Sequence, residues 1–213
     1  MLYATDETGE RIKPYPKERA LCPWCKSDMT SVCGDINTWH WRHLTKQNCN
    51  YKGETEWHRA WKTLSEKYGC HVEKIIGNGE HIADVVVRDP RQCKGSIIEL
   101  QHSSITAEEV IDRCEFYLKN RYKTTWLFDF TDKYESGHIE FTELDGTGNP
   151  MILNQKWQKR ILLSLVSESF YPKFGRIYID IGKERIFMIR KVYENGNGWG
   201  YFRNKKYIFS KNL

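Results

Sequence analysis

The chain predicts an α/β protein built on a mixed sheet, with a small cysteine- and histidine-rich module before it and a β-rich segment after it. Three observations predict this. Between Gly53 and Phe130 the apolar pattern runs helix, three strands, helix, strand, an order that yields a mixed sheet flanked by helices. Residues 21–50 carry four cysteines and two histidines but too few apolar residues for a core of their own, so that segment needs a staple. Beyond residue 131, RIYIDIG, RIFMIRKVY and GYFRNKKYIF read as short strands. The expected division is an arm and Cys/His module over 1–52, a core over 53–130, and a C-terminal helix plus basic, aromatic β region over 131–213.

The elements follow in order. Residues 1–20 are polar with two prolines and read as a loose arm or an edge strand. ETEWHRAWKTLSEKYG has Trp57, Trp61, Leu64 and Tyr68 at helical spacing, with Gly69 as the stop, so those four form the expected core face. HVEKII, IADVVV and SIIELQH are β-branched runs parted by GNGE and RDPRQCKG. In SITAEEVIDRCEFYLKN, Thr106 and Glu109 form a capping box, and Ala107, Val110, Ile111, Cys114 and Leu118 form the apolar stripe. TTWLFDF closes the core as a strand, and NQKWQKRILLSLVSESF reads as a further helix.

Composition narrows the function. With 39% hydrophobic and 29% charged residues over 213 positions, the chain is that of a globular protein, and no stretch approaches a membrane span. The opening MLYATDETGERIKPYPKERALC has no apolar signal core, which places the expectation in the cytoplasm. Seven cysteines, an odd count, point to thiols and metal ligands rather than a disulfide framework. From Tyr171 onward ten Lys and Arg stand against three Asp and Glu, among ten aromatics that include Trp199, Tyr201, Phe202, Tyr207 and Phe209. Interleaved cations and rings suit a polyphosphate with stackable bases; a solvated face over a small β core is the other reading.

The strands raise a sharper question. IADVVV carries Asp84 and SIIELQH carries Glu99 and Gln101, where burying a lone carboxylate costs several kcal/mol. Glu99 and Gln101 share one strand face, with Ile98, Leu100 and His102 on the other, so His102 is expected to pack. A hairpin would bring Asp84 within reach of Glu99, and two close carboxylates repel unless a cation lies between them. Oxygen donors of this kind suit Mg²⁺ or Mn²⁺, which bridge to phosphate oxygens. On the first helix, Glu54, His58 and Lys62 fall at i, i+4 and i+8. They are either salt bridges on a wet face or an acidic ligand with groups for protons and phosphate.

GETEWHRAWK, then ADVVV, then IELQHSSIT with Arg113 and Tyr117 in the next helix, resembles the competence protein CoiA-like family, over roughly Ala20 to Phe130. That family looks like a branch of the PD-(D/E)xK, restriction-endonuclease-like superfamily, whose αβββαβ core matches the order above. The resemblance implies Asp84 and Glu99 as metal-binding carboxylates, with Glu54 as the acidic residue of the first helix. His58 and Lys62 match the family's E-x-x-x-H-x-x-x-K pattern. Gln101 takes the position where many such nucleases have lysine, and this branch often has glutamine; Lys62 is then a substitute for activating water. Arg113 and Tyr117 line the site or buttress it.

The N-terminal module has its own chemistry. CPWC holds Cys22 and Cys25 in a tight knuckle, and WHWRH and Cys49 follow, a set that matches tetrahedral zinc. Cys22 and Cys25 can close with His40 and His43, or with His43 and Cys49. In an extended WHWRH the two histidines face opposite ways, so Cys22, Cys25, His43 and Cys49 are the expected ligands of a structural zinc, with His40 as the alternative. CoiA-like relatives resemble this segment too. Cys33, Cys70, Cys93 and Cys114 read as ordinary thiols.

The expectation is therefore a nuclease that hydrolyses DNA, single-stranded or duplex, using Mg²⁺ or Mn²⁺ on the carboxylates and a structural zinc. The alternatives are a non-catalytic DNA-binding or recombination accessory that keeps the fold, or a protein-interaction factor.

Overall fold

Very short strands are held by the few side chains they bury, and four of the five strands of the N-terminal sheet bury at least one. The computed structural model describes residues 1–45, 49, 53–88, 95–137, 175–183 and 185–188, together with the backbone of the strands at 140–143, 150–153, 189–193 and 199–204. It divides into two compact units, Met1–Glu73 and Lys74–Leu213.

In the first unit, β1 (Ala4–Thr5), β2 (Arg11–Ile12), β3 (Arg19–Leu21), β4 (Asp28–Val32) and β5 (His40–His43) form an antiparallel sheet in the order β2-β1-β3-β4-β5. Met1, Leu2, Ala4, Ala20, Met29 and Trp41 are buried. Residues 1–20 are therefore not a loose arm: burial of the first apolar side chains holds them in three strands. Helix α1 (Glu56–Lys67) starts at Thr55, whose hydroxyl accepts the His58 N–H. Its faces are reversed from expectation. Lys62 and Ser65 are buried, while Leu64 and Tyr68 are exposed and Trp57 and Trp61 half-buried. The physical reason is that the Lys62 ammonium lies between the carboxylates of Glu54 and Glu73, so its apolar stem can be buried with the charge neutralised.

The division falls within β6 (His71–Ile76), the edge of the second unit's sheet. β7 (His81–Val87) and β8 (Ser96–Gln101) pair antiparallel, with Val85 opposite Ile98 and Val86 opposite Ile97. Helix α2 (Ala107–Lys119) begins with the Thr106–Glu109 capping box and buries Val110, Cys114 and Tyr117; Leu118, expected in the stripe, is exposed. β9 (Lys123–Asp129) then lies parallel to β8. The order from α1 to β9 is αβββαβ, in a mixed α/β architecture.

After the short helix α3 (Thr131–Glu135) come β10 (Glu140–Glu143), β11 (Pro150–Leu153), β12 (Gly175–Asp180), β13 (Ile186–Tyr193) and β14 (Trp199–Asn204). The sheet runs β10-β11-β14-β13-β12-β9-β8-β7-β6, so the C-terminal meander extends the core sheet, with β12 parallel to β9. That pairing requires Gly175: a Cβ there would lie 1.8 Å from the Thr124 carbonyl oxygen. The main core packs Val110, Cys114 and Ile105 against Trp126, Phe128, Ile177 and Ile179. The helix expected over 154–170, and Cys93, Tyr207 and Phe209, lie outside the described residues. Among those described, no helix is long and apolar enough to cross a membrane.

Candidate functional site

β-Branched residues make β7 and β8 a rigid hairpin pair, and its register decides where the carboxylates go. Continuing the Val85–Ile98 pairing by one residue sets Asp84 opposite Glu99. Asp84 Oδ2 accepts the Leu100 N–H at 2.9 Å. Glu99 is only 2% exposed. Its Oε1 accepts the Tyr117 hydroxyl at 2.7 Å and its Oε2 accepts Arg113 Nη1 at 3.1 Å. Helix α2 thus presents both donors to one buried carboxylate, one helical turn apart. Burial first, and the neighbouring Asp84 charge second, push the Glu99 carboxyl up to about 7, against the pull of Arg113 and Tyr117. Burial and the same carboxylate drive the Tyr117 hydroxyl far above its ordinary value, so it stays a donor.

The pair fits a hard divalent cation. Each carboxylate oxygen has a second lone pair beyond the hydrogen bond it accepts, and a positive ion would relieve the mutual repulsion that raises Glu99. Gln101 lies on the Glu99 face at the end of β8, buried, with its Nε2 donating to the Ser103 carbonyl (2.6 Å) and hydroxyl (3.2 Å). Its amide oxygen is the remaining polar atom, an acceptor rather than a base.

The α1 candidates belong to the first unit. Glu54 receives Lys62 and lies 3.1 Å from the Met1 ammonium, while Lys62 is 3.4 Å from Glu73. His58 Nδ1 lies 2.8 Å from the Thr55 hydroxyl. Glu54, Lys62 and Glu73 form a buried charge cluster, not a wet face, and His58 is half-buried beside Thr55. Sequence reasoning missed Glu73, which is buried in the left-handed region (φ 49°) and accepts the N–H groups of Leu2 (2.8 Å) and Tyr3 (3.0 Å). That conformation costs a non-glycine residue on the order of 1 kcal/mol or more. A glutamate between Val72 and Ile75 was the only signal.

His102 was expected to pack. Instead its Nδ1 lies 2.8 Å from Oδ2 of the buried Asp129, with the imidazole 37% exposed. The reason is that β8 ends at Gln101, so His102 reaches the end of neighbouring β9.

In the module, the Cys22–Cys25 knuckle closes through the Lys26 N–H on the Cys22 carbonyl (2.9 Å), with Lys26 in the left-handed region. Sγ of Cys22, Cys25 and Cys49 and a ring nitrogen of His43 lie within 4.8 Å of one another. His40 is not in this group; alternation on β5 sends it to the opposite face, where Nδ1 meets the Thr38 carbonyl at 2.9 Å. Tetrahedral zinc with Zn–S bonds of about 2.3 Å spaces two sulfurs about 3.8 Å apart and a sulfur and nitrogen about 3.6 Å apart. Cys22 and Cys49 are 4.0 Å apart and Cys25 and His43 Nε2 3.3 Å apart, so the donors fit. Burial raises the Cys22 thiol. At Cys25 burial opposes the shift, but hydrogen bonds from Ser27, His43 and Cys49 outweigh it and bring the thiol down to about 6.

Comparison with known proteins adds one finding. The family model described as competence protein CoiA, nuclease-like domain, matches residues 56–179. No curated protein matches the chain. No solved structure matches it either. The match spans α1 through β12 and contains Asp84, Glu99, Gln101, Arg113 and Tyr117. By that match over more than half its length, the chain belongs to the competence protein CoiA family through its nuclease-like domain.

Proposed function

We propose that this protein is a divalent-metal-dependent nuclease that hydrolyses phosphodiester bonds in DNA. The observation that carries the reading is the facing pair Asp84 and Glu99, with Glu99 buried on Tyr117 and Arg113. Asp84 and Glu99 would hold Mg²⁺ or Mn²⁺, with Glu54 as the first-helix acid implied by the family pattern. Such a cation supplies charge stabilisation at the phosphate and lowers the pKa of bound water. The chain's own residues have separate tasks. Tyr117 and Arg113 fix the Glu99 carboxylate and keep both oxygens oriented. Gln101, with its nitrogen tied to Ser103, offers an acceptor oxygen that orients a water without taking its proton. His58 and Lys62 on α1 are the remaining candidates for proton transfer. Cys22, Cys25, His43 and Cys49 would hold a structural zinc: four protein donors close the tetrahedron and leave no position for water.

One observation favours a second reading, a DNA-binding accessory without turnover. Gln101 stands where the resemblance implies a lysine in many such nucleases, though often a glutamine in this branch, and the buried Lys62 ammonium is already held by Glu54 and Glu73. The deciding experiment is cleavage of labelled single-stranded and duplex DNA with Mg²⁺ and with Mn²⁺, wild type beside Asp84→Ala. Metal-dependent cutting that falls more than about a hundredfold in the variant supports the nuclease. DNA binding without cutting by either protein supports the accessory.

A further inference from the structure

The register of the N-terminal sheet lines up a row of side chains on its open face. Arg19 on β3 pairs with Thr30 on β4, and Thr30 pairs with Arg42 on β5. Their neighbours Ala20, Met29 and Trp41 are buried on the other face, so the row points outward, and both arginines are exposed. Strand spacing of about 4.8 Å sets the two arginine backbones about 10 Å apart with a hydroxyl between them. The unit's other described arginines are engaged: Arg11 with the Val72 carbonyl at 2.8 Å, Arg59 with Glu56 at 3.0 Å. The side chains of Arg19 and Arg42 make neither a hydrogen bond nor an ion pair among the described residues. Two guanidinium forks flanking a hydroxyl, with no carboxylate on either, are matched to phosphate oxygens.

One end of the same sheet carries exposed rings. β3 and β5 both run antiparallel to β4, so the residues that precede them lie at one end. These include Tyr15 (65% exposed), Lys17 (exposed) and Trp39 (45% exposed). The Trp39 Nε1–H donates to the Gly34 carbonyl at 3.1 Å, which pins the ring while leaving it open to solvent. Exposed rings beside cations take unstacked bases; a duplex keeps its base faces within the stack and leaves such rings idle.

We propose that the outward face of the N-terminal sheet, together with the end that carries Trp39 and Tyr15, is a docking surface for single-stranded nucleic acid, with Arg19 and Arg42 on phosphates and Trp39 and Tyr15 against bases. This deepens the nuclease reading, on which it rests, by naming the substrate form and the surface that receives it. The surface shares no residue with the carboxylate pair, so it is assigned to binding and not to the chemical step.

The test uses the full chain and a fluorescein-labelled oligothymidylate of about 16 nucleotides, with its duplex as comparison, by anisotropy across a salt series without added divalent cation. R19Q/R42Q is expected to bind the oligonucleotide at least about tenfold more weakly, with a log K against log salt slope shallower by about 1.4, two phosphates lost at roughly 0.7 each. W39A is expected to lose at least about fivefold with the slope unchanged, since stacking releases no counterions. Unchanged zinc content and thermal midpoint identify R19Q/R42Q as folded, and its cleavage rate at saturating DNA should equal that of wild type. If wild type binds and cuts DNA while R19Q/R42Q matches its affinity and slope, the surface is wrong and the nuclease reading stands. Tighter wild-type binding of the duplex overturns the single-strand assignment, and absence of any nucleic-acid binding overturns both.

Discussion

The two units hold their polar groups in opposite ways. Lys74–Leu213 buries Glu99 inside a sheet that is already stable, among Ile97, Ile98, Leu100 and Trp126, so apolar packing comes first and the carboxylate is fixed by it. Met1–Glu73 has strands of two to five residues, and its interior is organised by charge and sulfur: Lys62 between two glutamates, and three cysteines with a histidine. A packed sheet tolerates the loss of one polar contact. A unit assembled around polar centres loses its fold when a centre goes, because little apolar area remains to hold it.

The largest expected effect breaks that contrast directly. Removing zinc with a chelator, or replacing Cys22 by Ser, should abolish hydrogen-exchange protection over residues 1–45 while residues 96–129 stay protected, because a structural zinc supplies on the order of 10 kcal/mol of folding free energy. Equal loss in both units would mean that the module and the core are one cooperative structure. Metal analysis should find the zinc in wild type and not in the Cys22 variant.

Next in size is Lys62→Met. It keeps the buried stem but leaves Glu54 and Glu73 facing each other without their cation, at a cost of about 3–5 kcal/mol in denaturant unfolding. A loss below 1 kcal/mol would put the Lys62 charge in solvent rather than in the cluster.

The smallest effect concerns Glu99 and is read from pH. Its carboxyl is raised to about 7 in the folded chain from an ordinary 4.5, so the folded state holds the proton more tightly than the unfolded. Stability from this group is therefore full below about 4.5, declines as pH rises, and is at its lowest above about 7. Glu99→Gln removes the titration while keeping an oxygen for Tyr117. The variant should gain about 1–3 kcal/mol on wild type at pH 8 in metal-free buffer and nothing at pH 4. An equal difference at both pH values would assign the effect to packing.

Local chemistry was legible in the sequence and long-range placement was not. The Thr106–Glu109 capping box and the β-branched runs of β7 and β8 follow from spacing alone, and the hairpin between those strands sets Asp84 beside Glu99. The parallel pairing of β9 with β12 joins segments some fifty residues apart and rests on a close approach that only Gly175 permits. The α1 faces misled for a physical reason. Helical periodicity ranks Leu64 and Tyr68 as core and Lys62 as surface, but two buried glutamates, one of them in strand β6, reverse that order. His102 misled similarly, because strand alternation stops at Gln101 and the partner Asp129 lies on another strand. The basic, aromatic pattern of the C-terminal segment remains a sequence observation, since side chains beyond Met188 are outside the described residues.

The central claim is that Asp84 and Glu99 are placed to hold a cation. Manganese titration followed by electron paramagnetic resonance, with wild type beside Asp84→Asn and Glu99→Gln, tests it most directly. Saturable Mn²⁺ binding in wild type that weakens by at least about tenfold in each variant, with zinc retained in all three, is the predicted result. Equal Mn²⁺ binding by all three proteins would contradict it and leave the carboxylates as structural partners of Tyr117, Arg113 and the Leu100 amide.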